Sequence, residues 1–335
     1  MKKPLEGKVA VVTGSGQGVG RGVAILLARN GAKVVTNNRK PKDAKSAEIG
    51  FRSSALSGSV SLDSTEASKL GELSGDAEST ARDIIAEGGE AVPFFGDITD
   101  YDTSGELIQA AIDNFGRVDI LVNNAAGLGF GPFSTVTPSD WDYQLGPKLN
   151  GAFNCMKHAL PHMVAQGYGR VLNTASDAWL GIAALSAYSA ANSGLVALTK
   201  STAKEFWTAG ITVNAFCPQA ESPGHVSFKA TLRTMLKGSG TEIEIDEERM
   251  QESETAHGPA ENLTFLAYLA SEEAAHISGA VFSVTGGGSI ALYSEPQHIS
   301  NIEKRGGVWT FEELKQVVPE KLLASYTPLA AQREF

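Results

Sequence analysis

The chain is 335 residues long, 42% hydrophobic and 20% charged, with a net charge of −10, the composition of a globular chain that can bury a large core. The acidic balance argues against nucleic acid or an anionic membrane as the main partner, and no apolar run approaches the roughly 20 residues of a membrane span. Two isolated cysteines, Cys155 and Cys217, are too few for a disulfide framework or a metal cluster and fit a reducing, cytoplasmic setting with no metal.

Short apolar runs alternate with helical patterns along the chain. The opening MKKPLEGKVAVVTG carries two lysines, but its apolar stretch is short and runs into a glycine loop, as a buried strand does and a signal peptide does not. That strand covers 8–14; a helix follows over 20–32, closing near Gly31; the next strand is 33–38. Strands at 90–99, 118–126, 169–176, 211–218 and 280–287 continue the series, with helical segments between most of them. Continuous Val/Ile/Leu runs mean strands covered on both faces. The expected fold is therefore α/β: a Rossmann-type, doubly wound, mostly parallel sheet in one domain over 1–290, with an extension over 291–335. Residues 40–76, rich in Ser, Gly, Lys and Asp, read as an insertion of weak periodicity. Residues 222–256 carry the acidic run TEIEIDEERMQESE and read as a helical lid or a plain solvated helix. In the extension, GGVWTFEELKQVV predicts a short helix with Thr310 as N-cap and Glu313 three residues on.

After the first strand comes TGSGQGVG, with Gly14, Ser15, Gln17, Gly18 and Val19. Glycines allow a tight turn and close backbone approach to a pyrophosphate, and the following helix points its N-terminal N–H groups at that anion. Between the strand and the helix of a first βαβ unit, this loop signals a dinucleotide.

The set of motifs resembles the short-chain dehydrogenases/reductases over residues 5–290. Gly14-x-x-x-Gly18-x-Gly20 is that family's spacing; GDIT, with Asp97 and Ile98, resembles its adenine contact; NNAA, with Asn124, Ala125 and Ala126, its fourth-strand end. Ser176 and Tyr188 resemble its catalytic pair, one residue closer than usual; CPQAES, with Pro218 and Ser222, resembles the segment that cups nicotinamide. The insertion and tail look more loosely like the hydroxyacyl-CoA dehydrogenase domain of multifunctional enzymes, a branch that mostly uses NAD. Asn38 stands where NAD enzymes place an acid for the ribose hydroxyl, and Arg39 follows, a bidentate partner for a 2′-phosphate. NADP is therefore the favoured cofactor, with NAD the alternative.

Hydride transfer to a carbonyl needs a proton delivered to the oxygen. Tyr188 would hold that proton and Ser176 would polarise the carbonyl. The family has a lysine one helical turn past the tyrosine; this chain has Asn192. An amide can still hold the nicotinamide ribose, but it carries no charge to favour the phenolate. Upstream, seven residues past Trp141, where the family has a catalytic asparagine at a helix kink, this chain has Lys148 beside Pro147. The two polar positions are exchanged, and Lys148 is expected to restore the charge from the opposite helix; a solvent-facing lysine is the alternative. Three functions stay open: a carbonyl reductase or alcohol dehydrogenase, a non-catalytic dinucleotide-binding subunit of a hetero-oligomer, and dehydration or isomerisation on the same fold. The resemblance implies a small carbonyl or alcohol substrate and a homodimer or homotetramer packed through 141–165 and 188–207. Loops 128–136, 177–187 and 222–256 would line the substrate pocket, with Phe130, Phe133, Trp179 and Phe228 giving it an apolar portion, and Lys229, Arg233 and Lys237 as weak candidates for a CoA group.

Overall fold

The computed structural model describes residues 2–40, 51–53, 62–227, 229–230, 257–304, 307–325 and 328. Most of the expected lid, with Phe228, Arg233 and Lys237, lies outside the described residues. The chain divides into one unit over Met1–Tyr293 and another over Ser294–Phe335.

In the first unit β1 (Val9–Val12) leads through the glycine loop into α1 (Gly18–Arg29) and β2 (Lys33–Asn38). The strand β3 (Phe51–Ser53), α2 (Ser64–Leu73) and α3 (Ala77–Ala86) precede β4 (Ala91–Phe95), α4 (Tyr101–Phe115), β5 (Ile120–Asn123) and β6 (Leu128–Phe130). Then come α5 (Pro138–Leu145), a wide π turn (Gly146–Asn150), α6 (Gly151–Gln166), β7 (Gly169–Thr174), α7 (Ser186–Phe206) and β8 (Ile211–Gln219). The short α8 (Phe265–Leu269), β9 (Val281–Thr285) and β10 (Ile290–Leu292) complete it.

Eight strands form one sheet in the order β10-β9-β8-β7-β5-β1-β2-β4, and β3 pairs with β6 in a separate two-stranded sheet. All neighbours in the large sheet are parallel except β10, which runs antiparallel to β9. β1, β5 and β7 are buried throughout, which is why they read as unbroken apolar runs. One core, with Val23, Leu27, Ile84 and Leu266, lies on the α1, α3 and α8 face. The other, with Leu107, Ile108, Met156 and Met163, lies beneath α4 and α6. β1 neighbours β2 on one side and β5 on the other, so the strand order reverses there. A crevice opens at that reversal, outside the C-terminal ends of the strands.

The periodicity of 40–76 conceals a helix. α2 is fixed by a capping box, in which Asp63 accepts from the Glu66 amide and Glu66 returns a bond to the Asp63 amide. It buries only Leu70, so it leaves no apolar stripe to read. Lys69 on α2 pairs with Glu221, beyond β8, at 2.8 Å.

The second unit contains α9 (Phe311–Val317), capped by Thr310 and Glu313 as the sequence predicts. Lys304 binds the Glu313 carboxylate at 2.7 Å.

Candidate active site

The crevice is a cavity of about 710 Å³. Gly14, Gln17, Gly18 and Val19 line it from the glycine loop; Asn38 and Arg39 from the end of β2; Asp97 and Ile98 from beyond β4; and Asn124, Ala125 and Ala126 from beyond β5. Lys148, Ser176, Tyr188, Pro218 and Ser222 line its other half. Two of the expected residues stand behind the wall rather than on it. Ser15 is fully buried, its hydroxyl accepting from the Asn37 amide at 2.8 Å. Asn192 is fully buried on α7, with its Nδ2 donating to the Tyr188 carbonyl at 2.8 Å.

The glycine loop has the shape of a cradle. Gly14 has φ +62°, and a Cβ there would come within 2.8 Å of Ala125 Cα. Only glycine combines that backbone with that approach. Thr13 Oγ1 holds the opposite lip, accepting from the amides of Asn124 at 2.9 Å and Ala125 at 3.1 Å. Gly14→Ala is expected to weaken binding of reduced cofactor at least about tenfold and to cost about 1–2 kcal/mol of stability. A cofactor fluorescence titration beside a thermal melt checks both.

The reaction end is built by three elements tied together below the surface. Asn123 Nδ2 donates to Asn173 Oδ1 at 2.8 Å, and Asn173 Nδ2 to Thr199 Oγ1 at 2.8 Å. This buried chain joins β5, β7 and the middle of α7, the helix whose first turn carries Tyr188. Ser176 follows β7 and caps a 3₁₀ turn over Asp177–Leu180. Asp177 clamps that turn: its carboxylate accepts from Gln219 Nε2 at 2.9 Å and from the Tyr293 hydroxyl at 2.5 Å. Beside it, burial first and then the Asp177 charge push the Cys217 thiol well above its usual range. Burial likewise pushes the Tyr188 phenol upward, opposed by hydrogen bonding from Ser176 and from Asn192.

Lys148 lies inside the π turn and is 2% exposed. Pro147 has no N–H to continue the α-helical ladder, and the helix widens there: the Gly151 amide reaches the Gly146 carbonyl, five residues back. The Lys148 ammonium donates to the Thr174 carbonyl at 2.7 Å, at the end of β7. Burial pushes its pKa down from 10.5 to about 8, which the nearby Cys217 partly opposes. So the lysine faces the cavity and not solvent, while Asn150 is exposed. Thr174 Oγ1 and Asn192 Oδ1 are buried with no hydrogen-bond partner among the described residues. A buried acceptor of that kind suits a ligand hydroxyl, and with the glycine cradle it makes the residues present fit a dinucleotide.

Asp177, Gln219 and His225 lie in segments expected to line the cavity but were given no role of their own, and Tyr143 and His257 were not expected there; all five are on the cavity wall. Asp177 had a signal, its adjacency to Ser176. The histidines come from separate segments and had none. Of the aromatics expected to line the pocket, Phe133 is exposed, Trp179 packs edge-on against Tyr293 with ring centroids 5.4 Å apart, and Phe130 lies on a separate small pocket. The apolar wall is instead Leu128, Tyr143, Ile182 and Leu185. The reason is local: Trp179 sits within the 3₁₀ turn and faces back toward Tyr293, so the loop turns its smaller residues to the cavity.

This arrangement of sheet, cradle and Ser–Tyr pair defines a dinucleotide-dependent oxidoreductase. The short chain dehydrogenase family model matches residues 60–226. The chain is 30% identical over 286 residues to D-beta-hydroxybutyrate dehydrogenase of Cupriavidus necator, covering 84% of this chain and 98% of that one. It is 35% identical over 228 residues to the peroxisomal multifunctional enzyme type 2 of Drosophila melanogaster, covering 66% of this chain and 33% of that one. A short chain dehydrogenase from Mycobacterium avium superposes with a TM-score of 0.72 at 29% identity, over 97% of each chain. The chain belongs to the short-chain dehydrogenase/reductase family, and it is an oxidoreductase of carbonyl and C–OH groups that uses a nicotinamide dinucleotide. Among the described residues no helix is long and apolar enough to cross a membrane, and no group of three or more His, Cys, Asp or Glu is placed to hold a metal ion.

Proposed function

We propose that the chain is an NADP-dependent carbonyl reductase or alcohol dehydrogenase in which Lys148 supplies the charge that Asn192 lacks. The observation that carries this reading is the buried Lys148 on the same cavity wall as Ser176 and Tyr188. The nicotinamide, when bound, supplies or accepts the hydride. Gly14, Gly18 and the α1 terminus would hold its phosphates, Asn38 and Arg39 its adenosine end, and Pro218 and Ser222 its nicotinamide end. Ser176 donates to the substrate oxygen and polarises the carbonyl. Tyr188 delivers its phenolic proton to that oxygen in reduction and takes it back in oxidation. Lys148, as an ammonium on the same cavity wall, lowers the cost of the phenolate left behind. Asn192 steadies the α7 turn beneath Tyr188 from behind the cavity wall. The substrate's apolar portion lies against Leu128, Tyr143, Ile182 and Leu185.

The direct test is ultraviolet difference titration of tyrosine ionisation with NADP bound. One phenol ionising near or below about 8, lost in Tyr188→Phe and shifted upward in Lys148→Ala, is the expected result. Absence of such a phenol, with no NADPH consumed on any carbonyl compound, would favour the non-catalytic reading.

The preference for NADP rests on Asn38, the last residue of β2, and Arg39, which follows it. A Cβ on Gly16 would clash with Asn38 Oδ1, which is buried and without a partner among the described residues. Arg39 is exposed at the same end of the cavity, 4.0 Å from Asp97. Arg39→Ala is expected to raise KM for NADPH about 10- to 100-fold while leaving KM for NADH nearly unchanged. Steady-state kinetics with both cofactors checks this; an equal change for the two would assign NAD instead. For assembly, exposed Phe153 and Val164 on α6 and Trp207 beyond α7 support pairing of two copies through these helices.

A further inference from the structure

We infer that His225 and His257 form an imidazole pair that binds the diphosphate of the dinucleotide, an inference that rests on the cofactor assignment above. The two rings lie face to face, centroids 4.0 Å apart and tilted by 33°, and both line the cavity. The fold makes this pairing, since the residues stand on either side of the long segment between β8 and α8. His225 lies on a helical turn entered at Ser222, whose hydroxyl accepts from the His225 amide at 3.1 Å. His257 precedes Gly258, whose carbonyl accepts from the Glu221 amide at 2.9 Å. Both histidines are therefore fixed to one short stretch, Glu221–Ser222.

That stretch abuts the phosphate cradle. A Cβ on Gly18 would come within 2.9 Å of Pro223 Cδ and 3.1 Å of Ser222 Cβ. Gly18 is the first residue of α1, and its amides point at the anion that a dinucleotide brings. The segment that carries His225 thus closes over the N-terminus of the helix that receives the diphosphate.

Charge along the cavity favours the same assignment. Arg39 and Asp97 stand together at the adenosine end. Lys148 and Asp177 stand at the reaction end. Among the described lining residues, the two histidines are the remaining titratable side chains besides Tyr143 and Tyr188. A diphosphate carries about two negative charges, and the α1 terminus offers the equivalent of about half a positive one. Each imidazole has at least one N–H donor in either protonation state. With ring centroids 4.0 Å apart on one wall, both imidazoles are close enough together to serve one diphosphate.

The test is a binding titration that needs no turnover. The proteins are wild type, His225→Gln, His257→Gln and the double variant. The ligands are the reduced cofactor and ADP-ribose, which share the diphosphate, with adenosine as the phosphate-free control. The expected result is about tenfold weaker binding of cofactor and ADP-ribose in the double variant, with adenosine unchanged. Unchanged affinity for ADP-ribose would overturn the inference. Equal loss for adenosine would mean that the wall itself had been disturbed, and would overturn it too. A wild type that binds neither dinucleotide nor ADP-ribose would instead overturn the cofactor assignment on which the inference stands.

Discussion

Lys148→Met is expected to make the protein more stable and nearly inactive. The lysine is buried, and among the described residues its ammonium has one acceptor, the Thr174 carbonyl. Its pKa falls from 10.5 to about 8 because the protein removes water from the charge. A depression of that size corresponds to about 3 kcal/mol of penalty on the charged folded state. Methionine has nearly the same length and no charge, so it removes the penalty but also leaves the Thr174 carbonyl without its donor. The expected net gain is about 1–3 kcal/mol at pH 7, read as a rise in denaturation midpoint. The sign with pH follows from linkage. Below pH 8 the lysine is charged both folded and unfolded, and the penalty is fully present. Between 8 and 10.5 only the unfolded chain keeps the proton, so this group adds stability as pH rises. The advantage of Lys148→Met should therefore shrink across that window. Turnover should fall about 100-fold or more, with cofactor affinity retained. A variant both less stable and fully active would sink the proposed role and the burial argument together.

Tyr188→Phe is expected to lower turnover about 1,000-fold, since it removes the proton donor while keeping the ring. The fold and the cofactor affinity should be unchanged, because the phenyl ring fills the same space on α7. Stopped-flow measurement of NADPH oxidation with a reducible carbonyl compound, beside a cofactor titration, separates the two effects. The pH profile of the wild type should carry Lys148's signature. In the reductive direction Tyr188 must be protonated and Lys148 charged. In the cofactor complex the Lys148–Tyr188 pair gives up its first proton near or below about 8, and that loss ends turnover. Turnover should decline by about tenfold per pH unit above about 8. A profile flat to pH 10 would separate catalysis from Lys148.

The central strands were legible because β1, β5 and β7 are buried on both faces and read as plain apolar runs. The glycine loop was legible because cradle geometry demands glycine at particular steps. Lys148 was legible only as a displacement in register; its burial depends on the π turn and on the end of β7 meeting it. Two kinds of feature escaped. α2 escaped because a helix that buries one leucine has almost no amphipathic pattern. The Asp177 clamp and the histidine pair escaped because their partners are far apart in the chain: Tyr293 lies 116 residues from Asp177, and no local spacing encodes that contact. Trp179 misled for the converse reason. An aromatic in a pocket loop signals apolar area but not the direction in which it points.

The π turn has an evolutionary consequence. A π turn holds one residue more than an α-helical turn, so it behaves as a single-residue insertion that the helix absorbed. Losing one residue from Gly146–Asn150 would return the segment to uniform α-helix while the turns on either side keep their register. Tyr143, on the cavity wall, and Gln144, which accepts from the Gly129 amide at 3.1 Å, would stay in place, as would Cys155, Met156 and Met163 in the core. A one-codon deletion would thus remove the bulge that sets Lys148 against the end of β7 and leave the walls around it as they were.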